Sequence, residues 1–262
     1  MQNTIIASKL RRGGGLDSAG GLFHASGLTL SAFTLAEVLI TLGKIGIVAA
    51  MTLPSLVNKV KYKELETALN KNYSILQQAL QRAQLDTGEI VRPANYQNKE
   101  GSARTPIKQL LVKYIIKAKD CGNGTEQGSC VENAGISGNE NVKNIYKTYN
   151  NKNVIDNYLM DDGQFITSDG TLFLIENSAT STSSVLPIYI TVDVNGIKKK
   201  PNRWGYDLFT FQLMDNGKLL PMGAEGTDYA PDQYCSATNS GNKNGIACTH
   251  KALTDKNYWK NL

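Results

Sequence analysis

Four cysteines, Cys121, Cys130, Cys235 and Cys248, have the residue type and spacing best suited to chemistry in this 262-residue chain. They form two close pairs, each bracketing a loop rich in Gly, Asn and Ser. Close pairs of this kind suggest two local disulfides and an oxidising compartment. Zinc is the competing chemistry, but its cysteine ligands usually stand two to four residues apart, and His250 is the only nearby imidazole. The state of the thiols distinguishes the two.

A second candidate is Asp193-Val-Asn195-Gly196, followed by Pro201-Asn202 and Asp207. Asp and Asn oxygens two residues apart in a glycine turn supply hard ligands, which makes Asp193, Asn195 and Asp207 a candidate calcium set. The same letters are a common turn signature, and no other cofactor is expected. Catalysis has little to draw on. Asp161-Asp162 runs into a glycine, as ordinary turns do, and His250 lies in a tail rich in Gly, Asn, Ser and Thr that reads as disordered. A Ser–His or Cys–His pair has no evident geometry there, so no enzymatic activity is expected. The formal net charge of +5 is mild and the basic residues are scattered, with Lys198–Lys200 the only run, so nucleic-acid binding is not predicted.

The element organising all this is the apolar stretch from Phe33 to Pro54, long enough for one bilayer-spanning helix. Glu37 lies one turn into it and Lys44 near its middle, and charges at such depths call for a partner or a purpose. Lys44 stands seven residues after Glu37, on roughly the same helix face. It is read as a tolerated oddity or as one half of an inter-subunit ion pair. Before the stretch, Lys9, Arg11 and Arg12 make a positive region that should stay cytoplasmic. The glycines at 13–15 and 20–21 match no phosphate-binding loop.

The same block resembles the N-terminal segment of type IV pilins and of the pseudopilins of type II secretion. The resemblance rests on Phe33, Thr34, Leu35, Glu37, Gly46 and Pro54, which fall in that family's register and cover about a tenth of the chain. It implies that residues 1–32 are a prepilin leader, that a prepilin peptidase cuts between Ala32 and Phe33, and that the new amine of Phe33 is N-methylated. The family usually has Gly before the cut, and Ala32 departs from that. The resemblance further implies that Glu37 pairs with the amino terminus of a neighbouring subunit during assembly. The implied partners are copies of this chain or related pilins, the peptidase, the inner-membrane assembly machinery and the bilayer. The implied location is the inner membrane with an extracytoplasmic C-terminal domain, then a filament. The competing class is a membrane-anchored extracytoplasmic binding protein, and the resemblance also allows a minor pilin for DNA uptake or adhesion.

Beyond the anchor (33–56), apolar residues recur with a helical period at Leu65, Ala68/Leu69, Leu76, Ala79/Leu80 and Ala83, so residues 57–86 continue the helix amphipathically. Pro54 should bend it, and Asp86-Thr87-Gly88 should stop it. The remainder, 87–262, reads as a globular domain. A second helix is expected from Thr105-Pro106, with Ile107, Leu110/Leu111, Tyr114/Ile115 and Ala118 on one face. From Asp162 the period is two. Residues 164–176 form a hairpin about Asp169-Gly170, Leu186–Val194 and Tyr206–Leu213 are further strands, and a short fifth follows Asn216-Gly217. Tight sequential turns imply an α+β fold in which an antiparallel sheet packs on the amphipathic half of the long helix. The resemblance implies the same pilin-like layout, with a disulfide-closed C-terminal loop on the filament surface.

Overall fold

The structure is a computed structural model that describes residues 33–97, 105–132, 145–177 and 185–262. The expected leader, including Ala32, lies outside the described residues. The chain divides into two compact units, residues 1–50 and 51–262. One helix, α1 (Leu35–Thr87), contributes to both and runs through Pro54 without ending there. In the first unit every described residue is exposed except the half-buried Ala49. The helix stops where expected. Gly88 takes a φ of +72°, the left-handed cap that glycine reaches at least cost, and its N–H donates to the Gln84 carbonyl at 2.9 Å.

The second unit is an α+β domain built on a six-stranded antiparallel sheet in sequential order. Its strands are β1 (Lys117–Asp120), β2 (Gly163–Thr167), β3 (Leu172–Glu176), β4 (Ile188–Asp193), β5 (Leu208–Leu213) and β6 (Leu219–Pro221). The β2–β3 hairpin turns at Asp169-Gly170, where Gly170 has a φ of +89°. Leu65, Leu69, Leu76, Ala79, Leu80 and Ala83 of α1 share one buried core with Phe165, Phe173, Ile190, Phe209 and Phe211 of the sheet. Tyr73 stacks on Phe211 with ring centroids 5.0 Å apart, and its hydroxyl donates to the Leu219 carbonyl at 3.1 Å. At the hairpin tip Lys71 pairs with Asp169 at 2.5 Å.

Three parts differ from expectation. The second helix, α2 (Pro106–Tyr114), ends before Ala118, which belongs instead to β1. The letters Lys-Ala-Lys-Asp favour a helix, but pairing with β2 overrides that weak preference. Thr105 is the N-cap residue without a capping bond, because its hydroxyl donates to the Asp162 carbonyl. The largest difference is the C-terminal tail. Rather than lying disordered on the surface, it forms α3 (Pro231–Tyr234) and α4 (Cys248–Thr254) and buries Ile246, Ala247, Cys248 and Thr249 completely.

Ile246 and Ala247 help close a second core with Tyr146, Met160, Leu172, Leu174, Trp204 and Met222 on the other side of the sheet, whereas Cys248 joins the first core. With both faces covered, β4 and β5 are buried at every position and do not alternate. Replacing Leu76 with Ala should therefore cost about 2–5 kcal/mol, whereas Leu39→Ala in the exposed first unit should stay within about 0.5 kcal/mol. Urea unfolding of the full chain in detergent, followed by the fluorescence of buried Trp204 and Trp259, measures the difference.

Candidate functional site

The helix start is built from local sequence. The Thr34 backbone N–H and hydroxyl both donate to Glu37 Oε2 at 2.9 Å, and the Glu37 N–H donates to Thr34 Oγ1 at 3.2 Å. This reciprocal arrangement is a capping box, which satisfies two helix donors that otherwise have no partner. The Thr-x-x-Glu spacing that produces it was visible in the chain, but reading Glu37 as an inter-subunit partner overlooks this local role. Glu37 thus has an occupation within its own chain. Its carboxylate still retains acceptor capacity, since one oxygen takes both Thr34 bonds.

Around this cap the helix surface is uncovered. Every large apolar side chain from Phe33 to Val60 is exposed, with Phe33 at 83%. One helix in the described residues, α1, is long and apolar enough to cross a membrane. A helix satisfies its backbone polar groups internally, so its apolar surface is compatible with lipid or with other apolar helices. A Cβ built on Gly46 would meet nothing within 4 Å. Lys44 is exposed and, among the described residues, makes no ion pair with Glu37.

All four cysteines are oxidised, as Cys121–Cys130 and Cys235–Cys248, with Cα–Cα distances of 5.3 and 4.9 Å, so zinc is set aside. The first disulfide closes the loop after β1, and the second ties the end of α3 to the start of α4. His250 lies on α4, donates its backbone N–H to the Met222 carbonyl, and has a buried Nδ1 without a partner among the described residues.

Of the residues proposed for calcium, the Asp193 and Asp207 carboxylates are occupied by protein donors, whereas the Asn195 oxygen is buried and has no hydrogen-bond partner among the described residues. Asp193 accepts from the Tyr146 hydroxyl at 2.6 Å and from the Gly196 N–H at 2.9 Å. Asp207 accepts from the Asn202 N–H at 2.8 Å and the Arg203 N–H at 2.7 Å. Asn195 reaches the Lys200 carbonyl at 3.5 Å. The pair thereby ties the β4–β5 connection together. Burial, then repulsion from Asp207, pushes the Asp193 carboxyl up to about 7. Burial likewise raises Asp207 to about 6, against the opposing amides of Arg203 and Asn202.

No protein family, curated protein or solved structure matches this chain.

The two raised carboxyls carry a sign for stability. Each binds its proton more tightly in the fold than at the ordinary value near 4, so the folded chain takes up protons between about pH 4 and pH 7. Stability from this pair therefore rises as pH falls through that window. Asp120 and Asp169 are buried enough to favour protonation, but Lys108 and Lys71 respectively hold both at about 2, below the window. The melting temperature should be higher near about pH 5 than near about pH 7.5. Asp193→Asn, which mimics the protonated carboxyl, should flatten that difference. Calorimetry of both proteins in detergent checks it, and an unchanged slope in the variant would refute the assignment.

Proposed function

We propose that this chain is a pilin-like, single-pass membrane subunit that assembles into a filament through its N-terminal helix. The observation that carries the reading is the uncovered apolar helix from Phe33 to Val60, with one acid a single turn from its start. Such a surface needs a cover, and lipid and the helices of other subunits are chemically equivalent covers. Each large side chain moved out of water contributes roughly 1.5–3 kcal/mol in either place. Transfer from membrane to filament is thus nearly neutral in hydrophobic terms, and polar pairing can decide it.

In this reading a prepilin peptidase cuts between Ala32 and Phe33, the new Phe33 amine is methylated, and the processed subunit waits in the inner membrane. The assembly machinery then extracts it, and Glu37 receives the Phe33 ammonium of a neighbouring subunit while keeping its own cap. The bare Gly46 position leaves room for close approach of another helix. The disulfide-bearing domain belongs on the oxidising, extracytoplasmic side.

The capping box makes the Glu37 test sharper than an alanine substitution alone. Glu37→Gln keeps the cap, since glutamine serves in the same motif, but removes the charge. We expect Glu37→Gln and Glu37→Ala both to abolish sheared extracellular filaments while the protein accumulates in the membrane. Wild-type filaments should yield an N-methylated Phe33 terminus by mass spectrometry. Normal filaments from Glu37→Gln would reduce Glu37 to a helix cap, and monomeric membrane retention of the wild type would favour an anchored binding protein.

A further inference from the structure

Within the second unit, the exposed apolar surface of α1 gives way to buried core over a short stretch. Met51, Leu53, Leu56, Val57 and Val60 are exposed, and Leu65 is the first residue of the helix buried in the core. From Val60 to Leu65 is only about 7.5 Å of helix at 1.5 Å per residue. Lys61, Tyr62, Lys63 and Glu64 fill that interval. The connection between β4 and β5, residues 194–207, meets the helix at this level through both charged and aromatic side chains.

The charged side chains are mostly basic. Lys199 and Lys200 line a cleft of about 460 Å³ whose charged walls also include Lys61, Glu64, Lys71 and Asp169. Lys71 and Asp169 pair with each other, which leaves three lysines facing the single carboxylate of Glu64. Lys61, Lys199 and Lys200 make no ion pair among the described residues. Lys199 and Lys200 are exposed and Lys61 is half-buried. The cleft therefore carries an excess of positive charge that the chain itself does not neutralise.

The aromatic side chains are an independent observation. Tyr206, near the end of the same connection, has its ring 6.4 Å from that of Tyr62 on α1, and the Arg203 guanidinium lies 3.9 Å from the Tyr206 ring centre. Both tyrosines are half-buried, so part of each stays accessible. Tyrosine favours the membrane–water interface, with its ring against the acyl chains and its hydroxyl among headgroups, and lysine stems there extend toward phosphates. A solvated turn accounts for the lysine run by itself. It does not account for unpaired lysines and paired tyrosines meeting where an apolar helix surface ends.

We propose that the β4–β5 connection and residues 61–63 of α1 form a docking face for an anionic bilayer surface. Lys61, Lys199 and Lys200 bind phospholipid phosphates, and Tyr62 and Tyr206 sit among the headgroups. Each lysine close to an anionic lipid surface strengthens the attraction about fivefold. A nucleic acid would also meet the lysines, but it would leave Leu56, Val57 and Val60 in water, whereas a bilayer covers both. The inference rests on the membrane-spanning part of the proposed function and not on filament assembly. With the domain held against the leaflet, anionic lipid resists extraction of the stored subunit.

The full chain, reconstituted into vesicles of phosphatidylcholine with or without phosphatidylglycerol, tests it. A membrane-impermeant amine reagent followed by mass spectrometry reads each lysine. Exposed Lys218, which lines a groove with Gln81 and Gln84 near the C-terminal end of α1, is the internal reference. Phosphatidylglycerol should lower the labelling of Lys61, Lys199 and Lys200 about fivefold or more relative to Lys218. Salt at about 1 M, where the Debye length is about 3 Å, should restore it. Replacing the two exposed loop lysines together, Lys199→Gln with Lys200→Gln, should restore labelling of Lys61 without added salt. Equal labelling in both kinds of vesicle would overturn docking and leave the membrane anchor standing, whereas a chain retained by neither would overturn both. Protection of Lys61 that survives in the double variant would overturn the part given to the loop. Equal protection by inorganic phosphate or by duplex DNA in detergent would overturn the choice of a bilayer.

Discussion

The apolar stripe of α1 from Leu65 to Ala83 is the interaction on which the second unit depends. Its six buried aliphatic side chains meet a sheet face dominated by Phe165, Phe173, Phe209 and Phe211. Phe165 and Phe173 lie across the β2–β3 hairpin with rings 4.8 Å apart, so strand pairing and helix docking support each other. Tyr73 adds a stacked ring and a hydrogen bond to the β6 backbone, and Lys71 holds the hairpin tip. Remove the stripe and that face of the sheet is left wet.

Covering one face of a sheet leaves the other to be solved. Here the loop segments and the C-terminal tail solve it, with Trp204, Tyr146 and Ile246 fully buried. Loops make poor covers because their backbone groups need partners and their entropy opposes ordering. The two disulfides reduce that entropy in the unfolded chain, by roughly 3 kcal/mol for a loop of this size in the chain-entropy model. Asn side chains supply many of the missing partners. Asn244 alone donates to the Ser236 and Asn239 carbonyls and accepts from the Ser236 N–H. The same residue types that made the tail look disordered are the ones that satisfy its backbone.

Helix α1 follows two different rules along its length. From Leu65 to Ala83 its buried residues occupy one stripe, as a helix on a sheet requires. From Phe33 to Val60 apolar residues point in every direction and are exposed. That contrast was legible directly, since an all-round apolar helix and a striped one have different letter patterns. The capping box at Thr34 and Glu37 was equally legible by spacing, although a cap and an inter-subunit ion pair draw on the same carboxylate.

By itself the sequence determined the elements whose signals are local: the helix and its glycine stop, the Asp169-Gly170 hairpin, four of the six strands in near-correct bounds with β6 as a short fifth, and both cysteine pairs. These follow from periodicity, turn chemistry and spacing, which act within a few residues. Only the tertiary structure decided where β1 forms, that the tail is core, and that Asp193 and Asp207 are held by main-chain amides and, for Asp193, the Tyr146 hydroxyl. The grouping of Asp161 and Asp162 with Glu176 was likewise hidden, because thirteen residues lie between Asp162 and Glu176. Their proximity comes from the hairpin register, which pairs residues far apart in the chain and leaves no local signal.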